Sequence, residues 1–189
     1  MKTQTIQGYI KLLLLTVLMA GCQEQHVFKT GQQGRCVGVK DGDTIVMLID
    51  GKQVTIRLSD VDCPEKRQAF GQRAKQFTSD LCFGKEVSVV EKNKDRYGRT
   101  IGTVYLDDTT ILNKELVRAG MAWRYVQYSD DESYSTLENE ARAAGKGLWA
   151  DASPEAPWEF RKHGRPATQP KHKKKKQPVE EEEEVEVES

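Results

Sequence analysis

Asp43, Arg57, Asp62, Glu65 and Arg99 lie on four short stretches: Asp41-Gly42-Asp43-Thr44, Ile56-Arg57-Leu58, Val61-Asp62-Cys63-Pro64-Glu65 and Asp95-Arg96-Tyr97-Gly98-Arg99. Three carboxylates flanked by two guanidinium groups are what metal-assisted attack of water on a phosphodiester requires. Carboxylate oxygens suit a hard cation and a general base, and guanidinium forks suit phosphate oxygens. No His or Cys pair stands at zinc spacing, so the ligand set points to Ca²⁺ or another oxygen-preferring ion. No nucleotide-binding glycine loop and no Ser-His-Asp arrangement offers a rival chemistry. His26, His163 and His172 are scattered through linker and tail.

The elements that must position these groups are short. Arg35–Val39, Thr44–Ile49 and Gln53–Leu58 are rich in Val, Ile and Thr and are split by the turn signals Lys40-Asp41-Gly42 and Asp50-Gly51, which predicts a meander of strands. In the third strand Val54, Ile56 and Leu58 share one face, so Arg57 points to the other. The spacing predicts a helix over Gly71–Leu81, with Ala74, Phe77 and Leu81 on one side. Strands follow at Lys85–Glu91 and Thr100–Tyr105, separated by the Asp95–Gly98 turn. Helices are expected at Ile111–Ala119, with Asn113 as a candidate cap, and at Ser133–Ala144, where Ser133, Tyr134 and Glu138 read as a cap and a solvated face. Leu148 and Trp149 read as core residues closing the last helix.

In order and wording this series resembles the staphylococcal nuclease (thermonuclease) family, and the match runs from about Arg35 to Trp149. It includes Asn113-Lys114-Glu115-Leu116-Val117-Arg118-Ala119-Gly120 and Gly145-Lys146-Gly147-Leu148-Trp149. The resemblance implies an α+β fold: a five-stranded Greek-key barrel of the oligonucleotide-binding (OB) type with three helices. It implies a calcium-dependent nuclease that hydrolyses DNA and RNA and leaves 3′-phosphate and 5′-hydroxyl ends. Asp43 and Asp62 then bind Ca²⁺ by their carboxylates and Cys63 by its backbone carbonyl; Glu65 is the general base; Arg57 and Arg99 stabilise the charge that grows on phosphorus. Tyr97 and Tyr128 correspond to positions that contact nucleotide, while Val126 falls where one family tyrosine would stand. The stretch Lys66–Phe70 is shorter than the mobile loop of the type member. The alternative in a different class is a non-catalytic OB-fold module that binds nucleic acid or protein.

The ends of the chain read differently. Lys2 and Lys11 precede the apolar run Leu12–Met19, and small residues at Ala20-Gly21 lead to Cys22, the pattern of a signal peptide and cleavage site. Leu18-Met19-Ala20-Gly21-Cys22 resembles a bacterial lipobox, which implies a lipid on Cys22 and an exported enzyme anchored to an envelope membrane, facing periplasm or exterior. Outside the cytosol disulfides persist, and Cys36, Cys63 and Cys82 leave three pairings open. The expected organisation is a signal segment at 1–21, a linker at 22–33, a nuclease domain at 34–152 and a disordered charged tail at 153–189. The tail carries Lys171-His172-Lys173-Lys174-Lys175-Lys176 and then Glu180–Glu184. Lys and Arg total 29 against 29 Asp and Glu, so the net charge of zero is a sum over opposing blocks and argues neither for nor against nucleic acid. No obligate protein partner is implied.

Overall fold

The computed structural model describes residues 30–163. The signal segment, Cys22, the first part of the linker and the lysine and glutamate blocks lie outside the described residues.

Five strands close into a barrel: β1 (Gln32–Asp41), β2 (Thr44–Ile49), β3 (Lys52–Leu58), β5 (Glu86–Lys94) and β6 (Thr100–Tyr105), in the order β1-β2-β3-β6-β5. The pairings are antiparallel except β3 with β6, which run parallel. Asp50 and Gly51 both take positive φ, 48° and 75°, the twist that a two-residue hairpin between β2 and β3 demands. Inside the barrel Ile45, Met47, Ile56, Leu58, Val87, Val89 and Val104 are buried, each from the inward face of its strand. The OB-type barrel expected from the family resemblance is therefore present.

Two features add to it. A short ribbon pairs β4 (Val61–Asp62) with β7 (Trp123–Arg124), with Asp62 opposite Trp123. Among the described residues there are four α-helices where three were expected: α1 (Gly71–Cys82), α2 (Leu112–Arg118), α3 (Glu132–Ala143) and α4 (Pro157–His163). The fourth lies beyond Ser153, where the sequence turns charged and proline-rich. Ala156 and the first residue of α4, Pro157, are buried, which gives this short charged segment an apolar footing.

Helix α1 buries Gly71, Ala74, Thr78 and Cys82, while Phe77 and Leu81 are only partly covered at its flank. Cys36 and Cys82 bring their sulfurs to 3.5 Å in the buried contact between β1 and α1, so among the three candidate pairs this one is in contact; all three cysteines are free thiols. Asn113 is not a cap, because Ile111 occupies that position and Asn113 lies in the first turn of α2. Its fully buried amide is a strut: Oδ1 accepts from the Val104 N–H at 3.0 Å, and Nδ2 donates to the carbonyls of Ser59 at 2.9 Å and Gly102 at 3.2 Å. Helix α3 is capped by Asp131, whose carboxylate accepts from the Ser133 N–H at 2.9 Å. Tyr134 and Glu138 are buried rather than solvated, because α3 packs against α2, β7 and the turn at Gly147–Ala150. Leu148 and Trp149 form a second apolar cluster with Ala141, as expected, and the Arg142 guanidinium lies 3.6 Å over the Trp149 ring.

Asn113→Ala strands buried backbone groups on both sides of the strut and is expected to cost about 2–3 kcal/mol in urea unfolding; a loss under about 0.5 kcal/mol would contradict the strut. Hydrogen bonds from Ser133, with Lys114 nearby, lower the Asp131 carboxyl to about 2. Since this folded value lies below the unfolded one, the cap stabilises above about pH 4 and its contribution fades as pH falls toward 2. Asp131→Ala should therefore cost about 1 kcal/mol at pH 7 and converge on wild type in acid, measured by thermal melts across that range.

Candidate active site

The site is assembled at the turn between β1 and β2. Gly42 and Asp43 make this two-residue turn, and it is pressed onto the molecule so closely that a Cβ on Gly42 would sit 2.8 Å from Cys63 Cβ and 2.9 Å from Ala74 Cβ. The Thr78 hydroxyl of α1 donates to the Gly42 carbonyl and fixes the turn from below. Asp43 is thereby held beside the chain at residues 61–63: its Oδ1 accepts from the Thr44 hydroxyl and its Oδ2 from the Cys63 N–H, each at 3.0 Å.

Arg57 joins the two aspartates. The β2–β3 register sets it opposite Thr44, next to Asp43. Its Nη2 lies 3.2 Å from Asp43 Oδ2 and 3.0 Å from Asp62 Oδ1, while Nη1 donates to the carbonyls of Leu58 at 2.6 Å and Val61 at 2.9 Å. The side chain does leave the barrel core, as strand alternation requires, but it enters a carboxylate pocket instead of solvent. Burial opposes its charge, yet Asp43 and Asp62 outweigh that and raise its pKa. The Asp62 carboxyl, almost wholly buried, is raised by desolvation against the pull of Arg161 and Arg57.

Glu65 is placed by a stiff turn. Pro64 restricts the backbone before it, the Gln68 Oε1 accepts the Glu65 N–H at 3.0 Å, and Gln68 N–H returns a bond to the Glu65 carbonyl at 2.8 Å. Helix α1 starts hard against this turn: a Cβ on Gly71 would fall 2.0 Å from the Glu65 carbonyl oxygen. Arg161 of α4 then closes the group, donating to Asp62 Oδ2 at 2.6 Å and to Glu65 Oε1 at 2.8 Å.

Four of the five charged candidates, Asp43, Arg57, Asp62 and Glu65, thus belong to one network. Arg99 is not in it. The parallel register of Arg57 with Ile101 sets Arg99 two positions upstream on the neighbouring strand, but its Nε donates to Asp95 Oδ2 at 2.7 Å within the β5–β6 turn, and its guanidinium lies 5.8 Å from the Tyr97 ring. Tyr97 and Tyr128 are both largely exposed. Tyr128 lies edge-on to Tyr125 with centroids 4.8 Å apart, and the Tyr125 N–H is tied to the Asp60 carbonyl, which keeps this aromatic pair next to the Asp62 strand.

Three participants were not among the candidates, although Asp41 opens the first motif. Arg161 sits in a stretch that reads as tail, Gln68 in a stretch that reads as loop, and Asp41 reads as part of a turn. The signal for Asp41 is its spacing, two residues before Asp43. Its Oδ1 is buried without a hydrogen-bond partner, and burial, then Asp43 and Glu65, raise its pKa. Among the described residues no three carboxylate, imidazole or thiol groups converge on one point. The donors nevertheless fit a hard cation: Asp43 and Asp62 are adjacent carboxylates, and Asp41, whose buried Oδ1 has no hydrogen-bond partner, is close enough to Asp43 to feel its charge.

Residues 55–151 match the family described as staphylococcal nuclease homologue, a span that holds Arg57, Asp62, Glu65 and Arg99 while Asp43 lies ahead of it. An "Uncharacterized endonuclease" of Haemophilus influenzae is 44% identical over 152 residues, covering 80% of this chain and 82% of that protein. A "Micrococcal nuclease" of Shigella flexneri is 42% identical over 147 residues, covering 72% and 84%. An "Uncharacterized endonuclease" of Escherichia coli is 46% identical over 128 residues, covering 68% and 84%. With the barrel, the carboxylate network and these relatives in agreement, the chain belongs to the staphylococcal nuclease family and is a phosphodiester-hydrolysing nuclease.

Proposed function

We propose that this nuclease depends on Ca²⁺, acts on both DNA and RNA, and leaves 3′-phosphate and 5′-hydroxyl ends. The observation that carries the reading is the gathering of Asp43 and Asp62 around one buried guanidinium, with Glu65 linked to the same group through Arg161. Asp43, Asp62 and the Cys63 backbone carbonyl would hold the ion, with Asp41 nearby. Bound there, Ca²⁺ would neutralise negative charge on a phosphoryl oxygen and orient water for attack.

Glu65 takes a proton from the attacking water as its oxygen bonds to phosphorus. The bond from phosphorus to the 5′-oxygen breaks on the opposite side, and that oxygen leaves as a hydroxyl after taking up a proton. A positioned base supplies about 10²–10⁴-fold, so most of the acceleration must be electrostatic. Arg57, held by two carbonyls and two carboxylates, is already oriented for that task. Arg99 reaches the phosphate by exchanging its Asp95 partner for substrate, an exchange open to a partly exposed guanidinium. Tyr97 and Tyr128 offer exposed ring faces to bases, and stacking of this kind tolerates any sequence. The lipobox-like segment ending at Cys22 supports export and lipid anchorage to a bacterial envelope membrane. Among the described residues no helix is long and apolar enough to cross a membrane, so the nuclease domain would be attached through that anchor.

Purified protein should degrade DNA and RNA with Ca²⁺, lose both activities with a Ca²⁺ chelator, and lose at least about 10²-fold in rate in Glu65→Gln. Chelator-resistant cleavage would refute the metal, and unimpaired Glu65→Gln the base. Arg99→Lys keeps the charge but not the fork, and a fall in kcat of about 10²-fold is expected; a near-wild-type kcat would exclude two-point phosphate contact by Arg99.

A further inference from the structure

Helix α4 is fixed at its start and poised at its end. The Glu155 carbonyl just before it accepts from Gln68 Nε2 at 2.6 Å, and Ala156 and Pro157 are buried. From that footing the helix presents Trp158 and, one turn later, Arg161 on the same side. Trp158 lies nearly parallel to Tyr125, 8° between planes and 5.8 Å between centroids, and meets Trp123 edge-on at 5.5 Å. Arg161 spans Asp62 and Glu65, with Nη1 also 3.3 Å from Asp62 Oδ1.

One contact uses carboxylates that the proposed reaction needs, and the other covers the ring that supports Tyr128. A guanidinium that donates to Asp62 Oδ2 at 2.6 Å takes one of that oxygen's lone pairs and fills the space beside it that a cation would enter, and Asp62 also serves Arg57 through its other oxygen. A dication on Asp62 would in addition repel the Arg161 charge. On the other flank, the face of Tyr125 that Trp158 stacks on is not free for a nucleic-acid base. Resting on the proposed calcium-dependent reading, we propose that α4 is a tethered plug: Arg161 occupies the metal's place on Asp62 and ties up the base Glu65, Trp158 covers the Tyr125 ring beside Tyr128, and loading the site requires the helix to leave.

The plug is a competitor held in place by the chain. It lowers the apparent affinity for Ca²⁺ by the fraction of molecules in which the helix is away, and by reciprocity Ca²⁺ drives the helix off. The Arg161 guanidinium is about two-fifths exposed, so its bonds can be exchanged for water without dismantling a core. Once displaced it carries a positive charge beside the carboxylate site, where a polyanionic substrate favours it over the closed state.

The test is calorimetric titration of Ca²⁺ into chelator-washed full-length protein, without nucleic acid. Arg161→Gln should bind Ca²⁺ about tenfold tighter than wild type, and Arg161→Lys should fall between them. Trp158→Ala loosens the helix without touching a carboxylate and should also bind Ca²⁺ more tightly; it keeps the proposal open to refutation if Arg161→Gln fails to fold. Trp158→Ala should further bind a short single-stranded oligonucleotide more tightly in the presence of chelator, read by fluorescence anisotropy. Equal or weaker Ca²⁺ binding by the variants overturns the plug while leaving the calcium reading intact. Heatless, Ca²⁺-independent behaviour of wild type and variants alike, with cleavage preserved, overturns the calcium reading and the competition with it.

Discussion

The structure depends on one buried guanidinium. Asp43 and Asp62 are both nearly inaccessible to water, and two carboxylates cannot be ionised side by side in such a place without a partner. Arg57 supplies it, and two backbone carbonyls fix its orientation, so its charge is aimed as well as present. Arg161 meets Asp62 and Glu65 from α4, while Asp41 keeps a buried oxygen without a hydrogen-bond partner, and burial pushes Asp41 and Asp62 toward protonation. Two guanidinium groups, Arg57 and Arg161, thus face four carboxylates, and the site carries an excess of negative charge around one fixed guanidinium.

The barrel and α1 hold that charge cluster together by close backbone approach. Gly42 lets the β1–β2 turn come down onto Cys63 and Ala74, and Gly71 lets α1 begin against the Glu65 carbonyl. Between them the Thr78 hydroxyl ties the turn to the helix, and the Asn113 amide locks β6 to the chain leaving β3. The carboxylates are therefore set by backbone that cannot shift without breaking buried hydrogen bonds. This is the rigidity an in-line displacement needs, since small displacements of a catalytic group are costly.

Much of this was legible in the residues. The strand meander, the Asp50-Gly51 turn, the four charged residues of the network and the closing Leu148-Trp149 pair follow from local pattern, because each is specified by neighbours in the chain. What was not legible is what depends on distant partners. Asn113 looks like a cap because Asn usually acts on nearby backbone; its true partners lie up to 54 residues away. Tyr134 and Glu138 look solvated because the surface that covers them comes from other elements. Arg161 looks like tail because a short charged segment after prolines carries no periodicity, and only the folded barrel gives it carboxylates to meet. Arg99 is the reverse case, plain in the motif and outside the network, since Asp95 is the partner its own turn provides.

Helix α4 also has a place in the order of folding. Its bonds to Glu65 and Asp62 join residues 96 and 99 apart in sequence, whereas the barrel hairpins join residues a few positions apart. Contacts that close long loops form late, and a short helix held by few buried side chains is among the first units to open under native conditions. The amides of α4 should accordingly exchange with solvent long before those of β2 and β3. The barrel and its carboxylates precede in the chain the helix that covers them, so the site is complete in its own backbone before α4 docks on it.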